Sequence, residues 1–225
     1  MGNRKAVFSN LIWRFMERCG AQLVSVVVSF VLARMLDPAV YGLVAKVTII
    51  TSIMLVFVDS GMANSLIQKK DPDDLDFSSV FFFNVAFCLV LYVGLFFAAP
   101  LIAEYNGQPE LTAIVRVLGL TVVVAGVKNV QQAYVSKTMQ FKRFFFATLG
   151  GTAVSAAVGI AMAYKGFGVW ALVAQQLSNV TINTCVLWLT VGWRPKAMFS
   201  LERLRALLGY GWKLLASGLL DTVYN

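Results

Sequence analysis

Long apolar segments that repeat along the chain constrain its fold more than any other feature. A membrane-spanning helix needs about 20 predominantly apolar residues, and the sequence contains six such segments and the start of a seventh. They cover residues 9–35, 41–66, 78–101, 111–135, 145–164, 168–191 and 207–225. Charged residues make up only 13% of the chain, about half of what a soluble domain carries. The sequence therefore predicts an all-α integral membrane protein.

Turn-forming and charged residues separate these segments. Asp37 and Pro38 follow the first segment, and a proline cannot continue a helix. Charged residues dominate positions 69–74, whereas positions 106–109 and 165–168 are rich in glycine, proline and other turn formers. Each apolar segment is therefore predicted to be a separate helix. The chain ends inside the seventh segment, so we expect a longer protein with further spans.

Basic residues are distributed unevenly between the segments. Eleven lie at the amino end and in the loops after segments two, four and six. They are Arg4, Lys5, Lys69, Lys70, Lys137, Lys142, Arg143, Arg194, Lys196, Arg203 and Arg205. Only Arg34 and Lys165 lie in the opposite loops. Because basic loops stay in the cytoplasm, the amino terminus is predicted to be cytoplasmic.

Several functional classes are disfavoured by composition. The chain has no histidine, which removes histidine-based catalysis and histidine metal sites. Cys19, Cys88 and Cys185 lie in apolar runs and are predicted to be small buried residues. The net charge of +8 is dispersed between apolar segments, which argues against a nucleic-acid partner. We therefore expect no catalytic centre, no metal and no cofactor.

Polar residues within the first segment form one helical stripe. They are Arg14, Arg18, Gln22, Ser25 and Ser29, at steps of three or four residues, with Glu17 beside the arginines. A charge inside a membrane is costly and usually faces a cavity or a partner. The alternative is a helix-packing face with a local ion pair.

Other spans also carry charges, and cations outnumber anions. The predicted cavity cations, which would bind an anionic group, are Arg14, Arg18, Lys46, Arg116, Lys128 and Lys213. Snorkelling to the membrane surface is the alternative for these cations, most of all for Lys46 and Arg116. The acids Glu17, Asp59 and Asp221 are predicted candidates for coupling to H⁺ or Na⁺.

Three further patterns predict local structure. Small residues recur every four positions from Ala147 to Ala163 and predict tight helix packing. Aspartates at 71, 73, 74 and 76 predict a cap for the third span, with a metal-binding transferase motif as the alternative. Residues 200–208 predict a short amphipathic helix with its leucines on one face, at the membrane surface or as a plain linker.

Several strings together resemble a known family. They are Leu-Ala-Arg-Met-Leu-Asp-Pro at 32–38 followed by Tyr41-Gly42, Phe-Val-Asp-Ser-Gly at 57–61, Gly-Val-Trp-Ala-Leu-Val-Ala at 168–174 and Trp-Arg-Pro-Lys at 193–196. The chain resembles bacterial polysaccharide and lipopolysaccharide flippases, including the colanic-acid-exporter type. They belong to the multidrug/oligosaccharidyl-lipid/polysaccharide exporter superfamily.

The resemblance implies a MATE-like carrier of two six-helix lobes. Residues 1–192 would form the first lobe, 193–206 a cytoplasmic linker, and 207–225 the first helix of the second lobe. The family moves undecaprenyl-diphosphate-linked oligosaccharide across the bacterial inner membrane, which implies a transporter rather than an enzyme. Membrane lipid, a coupling ion and polysaccharide polymerase or assembly proteins are the implied partners.

Two other functions compete with this interpretation. A multidrug cation exporter has the same architecture, but it would need acidic or aromatic cavity walls. A membrane glycosyltransferase or polymerase would need a carboxylate pair in a pocket, for which the aspartates at 71–76 are the candidates.

Overall fold

The computed structural model describes residues 2–60, 62–207 and 209, with side chains from residue 12 onwards except those of residues 14, 17, 59, 60 and 62. The helices are α1 (Gly2–Met35), α2 (Pro38–Ser60), α3 (Met62–Gln68), α4 (Asp74–Tyr105), α5 (Leu111–Lys137), α6 (Phe141–Tyr164) and α7 (Val169–Thr190). Residues 201–207 are also helical. The described part of the chain contains no strand, which confirms the predicted all-α fold.

Five helical regions among the described residues are long and apolar enough to cross a membrane. They are Arg18–Met35, Pro38–Gln68, Asp74–Tyr105, Leu111–Lys137 and Phe141–Tyr164. The sixth predicted span coincides with α7, which is not among these five. Its 22 residues include the polar side chains of Gln175, Gln176, Asn179 and Asn183. A sixth span at α7, and a seventh at 207–225, stay predictions.

The helix boundaries follow the turn residues. Gly107, Gly166 and Gly168 have φ angles of +62°, +78° and +54°, which glycine adopts without the strain that a Cβ would cause. They close the α4–α5 and α6–α7 turns, where the sequence predicted them. Helix α4 continues through Pro100 to Tyr105, four residues beyond the predicted end of that segment.

The chain divides into two compact units, and the first comprises residues 1–46 and 138–191. In this unit α6 packs against both α1 and α7. The predicted small-residue stripe lies in the packed surface: Ala147, Gly151, Ser155, Gly159 and Ala163 are all buried. A Cβ on Gly151 would lie 3.1 Å from the backbone oxygen of Asn179. The prediction of tight packing is confirmed.

The second unit comprises residues 47–137 and the chain from 192 onwards. Here α4 packs on α5, and α3 contacts both helices. Val58, Cys88 and Val122 form a buried apolar cluster. Cys88 is therefore buried as predicted. The same prediction is wrong for Cys19 and Cys185, which are exposed, because apolar residues of a membrane protein also lie on surfaces that face away from its own core.

Pro100 interrupts the hydrogen-bond ladder of α4, and an arginine of α5 compensates. Proline has no N–H, so the carbonyl of Phe96, four residues earlier, loses its helical donor. The Nε–H of Arg116 donates to that oxygen over 3.4 Å, and the guanidinium lies 4.1 Å from the centre of the Phe96 ring. Arg116, a predicted cavity cation, thus has a structural contact in this unit.

An aspartate caps α4, as predicted from the acidic run. The Asp73 carboxylate accepts from the Asp76 N–H, and Asp76 returns a bond to the Asp73 N–H, which forms a capping box. The Asp76 N–H and then the Arg203 guanidinium lower the pKa of Asp73 to about 2. The cap therefore contributes fully to the stability of the fold above about pH 4, the pKa of an aspartate in the unfolded chain. This contribution to stability is lost as the pH falls towards 2.

Gly151→Val should destabilise the first unit, because its side chain would meet the Asn179 backbone. We expect a loss of about 1–3 kcal/mol, measured as a lower midpoint of thermal unfolding in detergent. Gly150→Val is the matched control, since a Cβ there meets nothing within 4 Å. Equal midpoints for the two variants would contradict the packing argument.

Arg116→Leu and Pro100→Ala should not have additive effects on stability. Alanine at position 100 restores an N–H for the Phe96 carbonyl, so the loss of Arg116 should then cost about 0.5–1.5 kcal/mol less than in the parent. A double-mutant cycle on the free energy of unfolding measures this difference. Additive effects would show that the two residues are independent.

Candidate functional site

An open groove of about 810 Å³ lies in the first unit, among α1, α6 and α7. The residues that line it are Arg18, Cys19, Ala21, Gln22, Leu23, Ser25, Thr148, Thr152 and Asn179. Six of these nine side chains are charged or carry hydroxyl or amide groups. Because exposed polar groups are unfavourable against lipid, this groove is the candidate functional site.

Helix α1 supplies the charged wall of the groove from its polar stripe. Arg18, Gln22 and Ser25 are separated by four and three residues and so face one direction. A different face of α1 packs on α6, where a Cβ on Gly20 would lie 3.3 Å from Leu149 and Trp13 meets Phe145 edge-on at 5.2 Å. The stripe is therefore not the surface that packs on α6.

Helices α6 and α7 supply the neutral wall. Thr148 and Thr152 are one turn apart on α6, and the Thr152 hydroxyl donates to the Thr148 carbonyl over 2.8 Å. The Asn179 amide of α7 donates to the Ser155 hydroxyl over 3.2 Å, and that hydroxyl donates to the Thr152 carbonyl over 3.0 Å. These bonds hold the polar groups at fixed positions along the small-residue seam.

The charge of the groove is positive. Among the lining residues that the structure describes, Arg18 is the only ionisable side chain besides the Cys19 thiol, and none is an acid. A guanidinium offers several fixed N–H donors to a phosphate or a carboxylate, while hydroxyl and amide groups suit the hydroxyls of a sugar. The groove therefore has the chemistry to bind an anionic, hydroxylated head group.

Three other predicted site residues are described, and none of them is among the residues that line this groove. Lys46 is exposed on α2, and Lys128 is half-buried on α5. Arg116 contacts Phe96, as described above. Their assignment to a substrate path stays a prediction.

The remaining assignments lie outside the described residues. They concern the side chains of Arg14, Glu17 and Asp59 and the whole of Lys213 and Asp221. Their predicted roles in binding or ion coupling stay predictions as well.

The second unit contains buried amides that sequence reasoning had not singled out as a set. The Asn129 amide donates to the Val58 carbonyl over 2.8 Å, and the Asn84 amide donates to the Gly126 carbonyl over 3.5 Å. Gln131 is fully buried. Asparagine and glutamine inside apolar segments were the available signal, because such residues need a partner within the protein.

The aspartates after α3 have structural contacts. Among the described residues, no group of three or more His, Cys, Asp or Glu side chains could hold a metal ion. Asp73 and Asp76 instead form the capping box of α4, and Asp73, Asp74 and Asp76 form ion pairs with Arg203, Lys196 and Lys69, respectively. This arrangement favours the cap over the transferase interpretation.

Comparison with known proteins places the chain among polysaccharide biosynthesis proteins. The family model of that description matches residues 31–225. The succinoglycan biosynthesis transport protein ExoT of Rhizobium meliloti (strain 1021) is 25% identical, over 96% of this chain and 44% of its own length. No solved structure matches the chain significantly.

Two further relatives are named for the biosynthesis of other surface polymers. The lipopolysaccharide biosynthesis protein WzxC of Escherichia coli (strain K12) is 26% identical over 85% of this chain and 39% of its own length. The teichuronic acid biosynthesis protein TuaB of Bacillus subtilis (strain 168) is 24% identical over 74% of this chain and 35% of its own length. The chain spans less than half the length of these relatives. The family predicted from the motifs is thereby confirmed: the chain is a multi-pass membrane protein of the polysaccharide biosynthesis protein family.

Proposed function

We propose that this chain is part of a flippase that moves a polyprenyl-diphosphate-linked oligosaccharide across the bacterial inner membrane. The observation that carries the proposal is the groove, which is lined by Arg18 and five neutral polar side chains. Arg18, Gln22 and Ser25 are exposed, and the three from α6 and α7 are half-buried. The relative ExoT is named as a transport protein, which agrees with this function. The diphosphate would pair with Arg18, sugar hydroxyls would bond to the neutral wall, and the polyprenyl tail would stay in lipid.

Transport would proceed by alternating access, with the groove open to one side of the membrane at a time. In this proposal the amino terminus is cytoplasmic, residues 1–192 belong to the first lobe, and residues 207–225 begin the second. Lys46, Arg116, Lys128, Arg14 and Lys213 would supply further positive charge along the path. Glu17, Asp59 and Asp221 are the proposed coupling residues for H⁺ or Na⁺, and polysaccharide assembly proteins the proposed partners.

The competing functions fit the site less well. An exporter of organic cations needs acidic or aromatic walls, whereas the described lining of the groove includes Arg18 and no acid or aromatic ring. A glycosyltransferase needs carboxylates that are available for catalysis, whereas Asp73, Asp74 and Asp76 have ion-pair partners. We therefore propose a transporter and not an enzyme.

The native cysteines offer a test of whether water enters the groove. Cys19 lines it, so a variant that keeps only Cys19 should react with a charged, membrane-impermeant thiol reagent. A variant that keeps only Cys88, which is 0% exposed, should stay unlabelled and is the control. Labelling is measured by the mass of the intact protein. Reaction of Cys19 with apolar reagents alone would show that lipid fills the groove.

Arg18→Ala in the full-length protein should lower transport about tenfold, because a charge-assisted hydrogen bond to the head group would be lost. Flipping of a fluorescent polyprenyl-diphosphate glycan in proteoliposomes is the measurement. Arg34→Ala is the matched control, since Arg34 is exposed on the same helix, beside Phe30 and away from the groove. Unchanged flipping in Arg18→Ala, or flipping absent from the parent protein, would contradict the proposal.

A further inference from the structure

Residues 193–207, which follow α7, pack closely against α4 and α5 within the second unit, and we call this segment the strap. It begins with Trp193, which is 7% exposed. The indole lies 5.6 Å from the Phe77 ring and 6.2 Å from the Tyr134 ring, between centroids. The buried Gln131 amide donates to the Trp193 carbonyl over 3.1 Å. The start of the strap is thus held by α4 and α5 together.

The backbone of the strap binds the first turns of α4. The Lys196 N–H donates to the Ser78 hydroxyl over 3.0 Å, and the Ser200 N–H donates to the Ser79 hydroxyl over 2.9 Å. Both serines are fully buried. Further along, Leu204 and Leu207 are buried, whereas Leu201 is exposed.

Acidic residues of the α4 cap pair with basic residues of the strap. Lys196 reaches Asp74 at 2.6 Å, and Arg203 pairs with Asp73. These pairs are 40–61% exposed, so water screens them and they contribute little. Asp76 differs, because it is fully buried between Lys69 at 2.5 Å and Arg203 at 3.6 Å. A buried carboxylate that loses its partners is strongly destabilising.

We propose that the strap is a permanent positioning device, fixed by Asp76, Ser78 and Ser79, that stays docked while the protein works. Undocking would remove Arg203 from Asp76, would leave the Gln131 amide and the Ser78 and Ser79 hydroxyls without their strap partners, and would expose Trp193. A released state is therefore disfavoured. The strap sets where the chain enters the predicted seventh span at 207–225. Docking itself is independent of the proposed transport function, whereas its consequence for transport rests on that function.

A disulfide between the strap and α4 tests whether the strap stays docked while the protein transports. In full-length protein without Cys19, Cys88 and Cys185, Ser79→Cys with Ser200→Cys should crosslink in membranes on mild oxidation. Transport by the crosslinked protein should match that of the same sample after reduction. Ser79→Cys with Leu201→Cys is the control, because Leu201 is 61% exposed and should not crosslink. Absence of the first crosslink, or transport that stops when it forms, would overturn the proposal.

The role of Asp76 in docking is tested by comparing crosslinking rates. Asp76→Asn in the 79–200 cysteine pair should slow crosslinking about tenfold, because its buried ion pairs are lost. Asp71→Asn is the control and should change the rate less than about twofold, since Asp71 is exposed and makes no ion pair with a described residue. Equal crosslinking rates in the Asp76→Asn and Asp71→Asn variants would show that Asp76 does not hold the strap in place. If no variant transports, the proposed function fails, and the crosslinking rates alone decide whether the strap is docked.

Discussion

Every backbone N–H and carbonyl inside a bilayer needs a partner within the protein, since lipid offers none. Helices satisfy most of these groups, and several described side chains supply a partner where a helix is interrupted or ends. Arg116 bonds to the carbonyl that Pro100 leaves free in α4. Lys137 donates to carbonyls at the end of α3, and Arg143 to the Thr190 carbonyl at the end of α7. Long charged side chains therefore complete the helices.

This constraint changes how the basic residues are interpreted. Positive charge in the cytoplasmic loops was read from the sequence as a sign of orientation, yet Lys137 and Arg143 also bind helix ends. Arg116 was read as a cavity cation and contacts Phe96. Arg18 differs from these three, because it lies on a groove among exposed polar groups. Basic side chains that bind helix ends or aromatic rings are occupied by those contacts, so Arg18 is a better candidate for binding a substrate than they are.

Local chemistry made much of the fold predictable, and contacts between distant segments made the rest unpredictable. Helix ends at Pro38, Gly107 and Gly168, and the Asp73 cap, depend on residues within one turn of each other. The strap could not be foreseen, because Trp193 meets Asp74 across 119 positions of sequence. For the site, the stripe on α1 was readable from helical periodicity. Asn179 was not, since only packing of α7 on α6 brings it to the groove.

The strap contact and the groove differ in whether their polar groups are buried and hydrogen-bonded within the protein. We use this difference to tell a structural contact from a binding site. At the strap, Ser78, Ser79 and Gln131 are buried and hydrogen-bonded, as expected of a contact that fixes a shape. In the groove, Arg18, Gln22 and Ser25 stay exposed within Arg18–Met35, the part of α1 that is apolar enough to cross a membrane. Groups that are left exposed in this way stabilise nothing until a ligand or water reaches them. A head group that carries phosphate and hydroxyls, the cargo proposed above, would satisfy those groups.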